Sequence, residues 1–551
     1  MSAAPGRARG SSRRPRPAAS ASAARGGAFG SLQRWIETPD SAAIRRVWDP
    51  LVTALYAGIV IYTSIHHEPW RDEVVPLGIA QSAGSLRELA APLKHEGHPI
   101  LWYFLLWCSY NVVFETWVLK AASVGSAIGA VFLLNRGPLP WWARLLITFS
   151  FFPLYQYSVI SRGYSLEMLL LFVFCALFPR RREHPLGLAL VLAALANTEM
   201  FGLIMTLAAV LLLAADGLMR GGDWRRLVRD KWIVSGVLIY LAGVALMVAV
   251  AFPEPGSRLS SFQKLDPWSI AAAIGWGITQ PVAHAATFAG VPFPSLWIWA
   301  YLAYLARRPP LLCFAAAGLM GIEILFNLAY GPGAPWNIPW HIGNVFLVLI
   351  ATLWLDASGS VASYTWAARL ERFRVWLGGA LAVGLAIMLG ALVLRGVRHV
   401  VLDVQHPHSA NLQLGELLRS DPAFANAVVM GEPDTPLWSL LYYARNRIYL
   451  AREAVFRPWG VFQPPRRFTY DLGALLGAAR EMRSQCACPV VITMGWDLER
   501  PGTYSNFRGT QFEEKFLITA DARSEFLSAT QLVARLRGTI TDENYDVYLL
   551  R

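Results

Sequence analysis

Charge is scarce in this chain of 551 residues, since Asp, Glu, Lys and Arg together make up 16% of it, against roughly 25% in soluble globular domains. Hydrophobic residues account for 55% and the mean hydropathy is +0.38, a balance that excludes an ordinary soluble enzyme. Lysine is rarer still, occurring only at Lys94, Lys120, Lys231, Lys264 and Lys515. The net charge of +12 is therefore carried by arginine, and residues 1–46 alone hold nine arginines against Glu37 and Asp40. Most of the excess belongs to a tail, which argues against a nucleic-acid partner. Cysteine is equally sparse. Cys108, Cys175 and Cys313 lie inside apolar runs, leaving Cys486 and Cys488, too few for a disulfide framework. Cys486-Ala487-Cys488 could bind a metal or close a ring, but reads as two small structural residues ahead of Val490-Val491-Ile492.

Long apolar runs are what the chain does have. From about residue 49 to residue 395 they recur at lengths able to cross a bilayer, roughly 17 to 25 residues each. Basic clusters belong on the cytoplasmic side. They fall in the tail, at Arg180-Arg181-Arg182, at residues 220–231, at Arg307-Arg308 and at residues 369–374. On that rule residues 50–65, 232–252, 311–329 and 375–394 run outward and residues 342–355 return. The stretch 186–215 is too long for one span and breaks at Asn197-Thr198-Glu199, which predicts a hairpin of two short helices. Re-entrant pieces are expected around residues 99–135 and 268–306. The expected fold is a polytopic α-helical membrane protein of about 11–13 spans, the number being odd because the termini lie on opposite sides. Residues 1–46 form a disordered basic cytoplasmic tail and residues 47–395 the membrane module, with its first outer loop at 67–98. Residues 396–551 form an extracytoplasmic α/β domain, in which 427–430, 489–493 and 545–550 read as strands.

Chemistry concentrates in the first outer loop. It reads Trp70-Arg71-Asp72-Glu73-Val74, then Ser85-Leu86-Arg87-Glu88-Leu89, then Lys94-His95-Glu96-Gly97-His98-Pro99-Ile100-Leu101-Trp102-Tyr103. An acidic pair directly after a first span is costly against lipid, so it either sits in water or lines a polar cavity. A solvated loop and a functional site are both compatible with the residue types alone.

An Asp-Glu pair just after the first span, followed by Glu96-Gly97-His98-Pro99 leading into an aromatic apolar run, resembles the first outer loop of the GT-C superfamily of membrane glycosyltransferases. Within it the chain is most similar to family 39-like transferases, the group of the protein O-mannosyltransferases and the bacterial lipid A aminoarabinose transferases. The likeness extends to Tyr155-Gln156-Tyr157 and Ser161-Arg162-Gly163-Tyr164, to the hairpin around Asn197 and to an outer C-terminal domain; Ile100 stands where the family more often has a second proline. The resemblance implies inverting transfer of one sugar from a polyprenyl-phosphate donor to a glycan, lipid or protein acceptor on the outer face. It implies Asp72 as the general base that takes the proton of the attacking hydroxyl, with Glu73 orienting the acceptor or a neighbouring cation. The leaving phosphate gains charge and calls for fixed cationic donors. Arg162 is the first candidate and Lys94 and Arg71 could assist, although an arginine at a helix end can also merely snorkel to the interface. His95 and His98 could donate hydrogen bonds, and Glu96 and Tyr164 complete the matched positions.

No cofactor is required by this scheme. His95, Glu96, His98, Asp72 and Glu73 could nevertheless hold one divalent ion. His406 and His408, a pair with no third ligand nearby in sequence, read as surface residues. Trp276, Trp297, Trp299, Trp336, Trp340 and His341 suit an interfacial aromatic belt. The run Trp336-Asn337-Ile338-Pro339-Trp340-His341 could instead hold a sugar or a prenyl chain. A membrane transporter or lipid flippase is the competing reading, though no internal repeat supports it; a non-catalytic assembly protein built on a transferase fold is another. The arginine-rich, lysine-poor composition fits a high-GC bacterium and hence a bacterial inner membrane.

Overall fold

The computed structural model describes residues 42–222, 225, 229–252, 266–279, 293–330, 339–364, 368–461, 466–508 and 512–551. The fold is mostly helical, with a small sheet region at the C-terminal end. Among the described residues seven helices are long and apolar enough to cross a membrane, beginning with Arg45–His66 and Val118–Arg136 and ending with Phe373–Gln405. Leu101–Val113 and Pro185–Ala196 are shorter apolar helices, and even with these two the described residues fall below the expected 11–13 spans. The basic tail, apart from its last residues, lies outside the described residues.

The predicted hairpin is present as Pro185–Ala196 and Met200–Met219, broken at Asn197-Thr198-Glu199. Asn197 holds the break closed, its side-chain amide donating to the carbonyls of Ala193 at 2.9 Å and Gly243 at 2.8 Å. Around residues 99–135 the two apolar runs form Leu101–Val113 and Val118–Arg136, separated by a turn in which Phe114 takes a left-handed φ of 58°. The last helix, Ala368–Gln405, is longer than its apolar run. At 1.5 Å per residue its 38 residues extend about 57 Å, so its end reaches well past the residue-395 boundary into the C-terminal domain.

Three helices define two ends of the bundle. Tyr164–Leu177, Met200–Met219 and Pro339–Ala357 start beside Arg162, Glu199 and Trp340. At their far ends Asp216 pairs with Arg181 and with Arg220 at 3.0 Å, and Asp356 pairs with Arg307 at 2.9 Å and Arg308 at 2.8 Å. Arg181 and Arg220 both donate to the Ser360 carbonyl, at 3.2 and 2.8 Å. The clusters around Arg181, Arg220 and Arg307-Arg308 thus share one end and the first loop occupies the other. Glu199 and Asp216 are separated by roughly 26 Å of helix, close to a hydrocarbon core of about 30 Å.

The C-terminal part carries a four-stranded sheet in the spatial order Val428–Glu432, Val490–Met494, Tyr545–Leu550, Thr530–Leu536. The first pair is parallel and the other two antiparallel. The three strands expected from sequence are the three adjacent ones, because burial on both faces makes them continuous apolar runs. Thr469–Asp471, Phe512–Ile518 and Gly502–Arg508 form a second sheet; their mixed polar composition hid them. Cys486 and Cys488 form a disulfide across Ala487, which ends helix Leu472–Cys486 in a left-handed conformation. That corrects their reading as two merely small residues.

Candidate active site

The first loop is built to turn side chains back toward the helices. After Pro69, helix Arg71–Ser82 begins with Asp72 and Glu73 in its first turn, where carboxylates complement the helix dipole. The Glu73 carboxylate caps the helix, accepting from the Trp70 backbone N–H at 3.2 Å. Pro76 lies inside the same helix and has no N–H to offer the Asp72 carbonyl, and both residues line the cavity described next. Further on, the short helix Leu93–Glu96 stops at Gly97, whose φ of +69° is left-handed; a residue with a β-carbon would resist that conformation. This turn lets Glu96 and His98 enter the same space.

That space is a cavity of about 190 Å³ whose ionisable lining is Asp72, Glu96, His98, Arg162 and Glu199. Val75, Pro76, Trp102, Tyr103, Gly163 and Trp438 complete its walls. Arg162 follows an irregular stretch after the π-turn Phe152–Gln156 and precedes helix Tyr164–Leu177. Its guanidinium sits 5.4 Å from the ring centres of both Tyr164 and Trp340, and Nη1 lies 3.6 Å from Asp72 Oδ2. Burial works against this cation, but the Tyr164 hydroxyl, Asp72, Glu199 and Tyr103 outweigh it and hold the guanidinium charged. Asp72 keeps a third of its side chain accessible, as a group that must meet a substrate requires.

His98 Nδ1–H donates to Glu199 Oε2 at 3.0 Å. Burial lowers the proton affinity of the ring, yet the pairing with Glu199 raises it above the ordinary histidine value. Glu96 is pushed up to about 7, chiefly because the surrounding protein withdraws water from it and secondarily by Asp72, with His98, Arg162 and Arg457 opposing. The cavity therefore brings together the partly accessible Asp72 side chain, the fixed Arg162 guanidinium and the hydrogen-bonded His98–Glu199 pair.

The C-terminal domain closes one wall. Trp438 lies in the 3-10 turn Thr435–Ser439, which follows Asp434. Arg466 grips Asp434 at 2.7 and 3.0 Å, Glu453 at 2.9 Å and Glu514 at 2.6 Å. The Tyr443 hydroxyl donates to the Pro69 carbonyl at 2.9 Å, seating this segment on the first loop.

Of the residues singled out from sequence, Asp72, Glu96, His98 and Arg162 meet in the cavity, whereas Arg71, Glu73, Lys94, His95, Tyr164, Trp340 and His341 are not part of its lining. Glu73 is fully buried and engaged by His67 Nε2 at 2.9 Å, by the Trp70 N–H and by the Ser161 N–H. These contacts tie it to the loop and away from the cavity. Arg71 turns to the C-terminal domain, with Nη2 on Asp542 at 3.0 Å and its backbone N–H on Glu543 Oε1 at 2.8 Å. Lys94 and His95 lie on the short helix outside the lining. Tyr164 stacks on Tyr157 at 5.2 Å, and the Trp340 carbonyl accepts from the Tyr157 hydroxyl at 2.5 Å. His341 is buried among Tyr164, Phe201, Phe326 and Trp340. These aromatics shape the bed of Arg162. Trp297 is buried and donates to the Leu381 carbonyl at 2.7 Å instead of lying in a belt, whereas Trp299 is exposed. Trp336, Asn337 and Ile338, and the side chain of Trp276, lie outside the described residues.

Glu199 is the cavity residue that sequence reasoning passed over. Its signal was a carboxylate interrupting an apolar run, which by itself marks a functional position. Trp438 carried no local signal. The metal-ligand expectation fails in detail: among the described residues, the donors that come within reach of one ion are His67, Asp403 and His408, all buried. His408 is thus no surface residue, and its third ligand comes from the far end of the sequence. No protein-family model matches this chain, and neither do curated proteins or solved structures.

Proposed function

We propose that this protein is a polytopic membrane glycosyltransferase of the GT-C type, moving one sugar from a polyprenyl-phosphate donor to an acceptor on the outer face of a bacterial inner membrane. The observation that carries the proposal is the convergence of Asp72, Glu96 and His98 from the first loop with Arg162 and Glu199 from two other segments on one cavity. That cavity lies at the end of the helices opposite the basic clusters. A volume of about 190 Å³ is below the roughly 300–1,000 Å³ of drug-sized sites and suits a single sugar unit. The Cys486–Cys488 disulfide is in keeping with an outer domain in an oxidising compartment.

In this reading Asp72 accepts the proton of the acceptor hydroxyl as its oxygen attacks the anomeric carbon. The bond from that carbon to the phosphate oxygen breaks on the opposite face, giving inversion, and the electron pair leaves with the polyprenyl phosphate. Arg162 stands where charge grows on the departing phosphate. The His98–Glu199 pair offers a second positive donor, held in place by its carboxylate.

The test is transfer from a panel of labelled polyprenyl-phosphate sugars by protein in lipid vesicles, comparing wild type with Asp72→Asn. Loss of a general base predicts a fall of about 10²- to 10⁴-fold with donor binding retained. Consumption of no donor by either form, together with passage of solutes or lipids across the vesicle, would replace the proposal with the transport reading.

A further inference from the structure

The end of the first long helix and the end of the last one meet beneath the outer domain. His67 follows helix Ala42–His66, Asp403 lies in the last turns of Ala368–Gln405, and His408 stands just beyond. His67 Nδ1 is 2.9 Å from Asp403 Oδ2, and His408 Nδ1 is 2.8 Å from Asp403 Oδ1. One donor atom from each residue can be chosen so that all lie within 4.8 Å of one another, and all three residues are buried. The two imidazole rings approach edge to face at 4.6 Å.

We infer that His67, Asp403 and His408 form a site for a divalent metal of the zinc type, which ties the first and last long helices together and fixes the loop that carries Asp72. Two imidazole nitrogens and a carboxylate oxygen are a donor set that such ions prefer over Mg²⁺ or Ca²⁺. Bonds of about 2.0–2.1 Å in a tetrahedron put ligand atoms roughly 3.3 Å apart, so the two histidine nitrogens need to move from Asp403 by only a few tenths of an ångström.

The surroundings are rich in carboxylates: Asp403, Glu73 and Glu68 lie about the site, and Lys120, which donates to the Ser64 and His67 carbonyls at 2.6 and 2.7 Å, is the ammonium that faces them.

The outer groups are arranged as metal-bound histidines require. His67 turns its other nitrogen, Nε2, to Glu73 at 2.9 Å, which fixes the ring orientation, and Glu73 is itself held by the Trp70 and Ser161 N–H groups. The chain of contacts runs from the ion through His67 and Glu73 to Ser161, next to Arg162, and along the backbone to Asp72. Glu73, adjacent to the cavity but absent from it, thereby has a task. This inference concerns a site apart from the cavity and stands whether or not the transfer reading holds.

Full-length protein in detergent, stripped with a chelator and then titrated with Co²⁺, should bind about one equivalent and develop the visible d–d bands of a low-coordinate histidine site. Zinc in place of cobalt should raise the thermal midpoint by about 3 °C. Glu73→Gln, which keeps all three ligands, should weaken the metal by about 10- to 100-fold, and His67→Gln with His408→Gln should abolish the bands. Wild-type protein that gains neither bands nor thermal stability would overturn the inference without recourse to any variant. Bands that persist in the double histidine variant would overturn it equally, by placing the ion elsewhere.

Discussion

Gly163 separates Arg162 from the helix that follows, and its α-carbon lies against the opposite wall of the cavity. A β-carbon there would stand 2.9 Å from Glu199 Oε1, 3.3 Å from Trp102 Cβ and 3.5 Å from the Thr198 carbonyl oxygen. The backbone at φ −56°, ψ −17° is ordinary right-handed geometry, and alanine is the better helix former, so Gly163→Ala introduces no conformational strain. Its effect is steric, and Glu199 is the group with freedom to yield. That shift loosens the 3.0 Å bond from His98. Overpacking of this kind costs about 1–3 kcal/mol, which lowers the thermal midpoint of a chain this size by only about 1–3 °C. Misplacing a positioned group by up to an ångström slows a reaction by up to about 10²-fold, so transfer should fall roughly 10- to 100-fold while the fold survives. Gly125→Ala is the control, since nothing lies within 4 Å of its β-carbon, and it should transfer at the wild-type rate. The two arms are read by initial rates of label transfer in vesicles and by thermal unfolding of the same samples. Glu199→Gln should share the Gly163→Ala phenotype, and the pair should be less than additive because both act on one contact. A folded Gly163→Ala protein at full rate, or effects of the two changes that simply multiply, would refute the assignment of Glu199 as the group that holds His98.

Two further predictions follow from buried charge. The Glu96 carboxyl ionises at 4.5 when unperturbed and at about 7 here, so it binds more protons folded than unfolded, and its stabilising contribution is full below 4.5 and is lost as pH rises through 7. Glu96→Gln should flatten that loss, by at most about 3 kcal/mol given a partly accessible side chain; equal slopes of thermal midpoint against pH for the two proteins would contradict it. In the outer domain, Arg452 Nε and Nη2 grip Glu432 at 2.8 and 2.7 Å, both residues being almost wholly buried. Arg452→Met should destabilise the domain by about 3–5 kcal/mol, and adding Glu432→Leu should restore most of it, as followed by the onset of proteolysis on heating.

The hairpin at 185–219, the paired basic clusters and three adjacent strands of the four-stranded sheet were legible in the sequence because each rests on local pattern: apolar length, arginine placement, buried β-rich runs. Asp72, Glu96, His98 and Arg162 were legible too, as ionisable residues beside long apolar runs, where only a polar cavity can hold them. Arg71 and Glu73 carry the same signal and were misread, because sequence gives proximity to a loop but not the direction in which a helix turns a side chain. Consecutive residues of one helix point about 100° apart, so Arg71 faces Asp542, Asp72 the cavity and Glu73 the interior. Strands rich in charge, such as Phe512–Ile518, stayed hidden because they lack an apolar run, although in this case the antiparallel partner Gly502–Arg508 directly precedes the strand in sequence.

Sequence by itself determined the class of material: a chain whose apolar runs must pack as helices, with one loop too rich in charge to face lipid. Only the tertiary structure decided which charges meet. It joined Glu199 to His98 across 101 positions and His67 to Asp403 across 336. It also brought Trp438 to the cavity from the C-terminal domain. Contacts of that separation leave no trace in local propensity, since they arise only when packing of the long helices fixes which ends lie together.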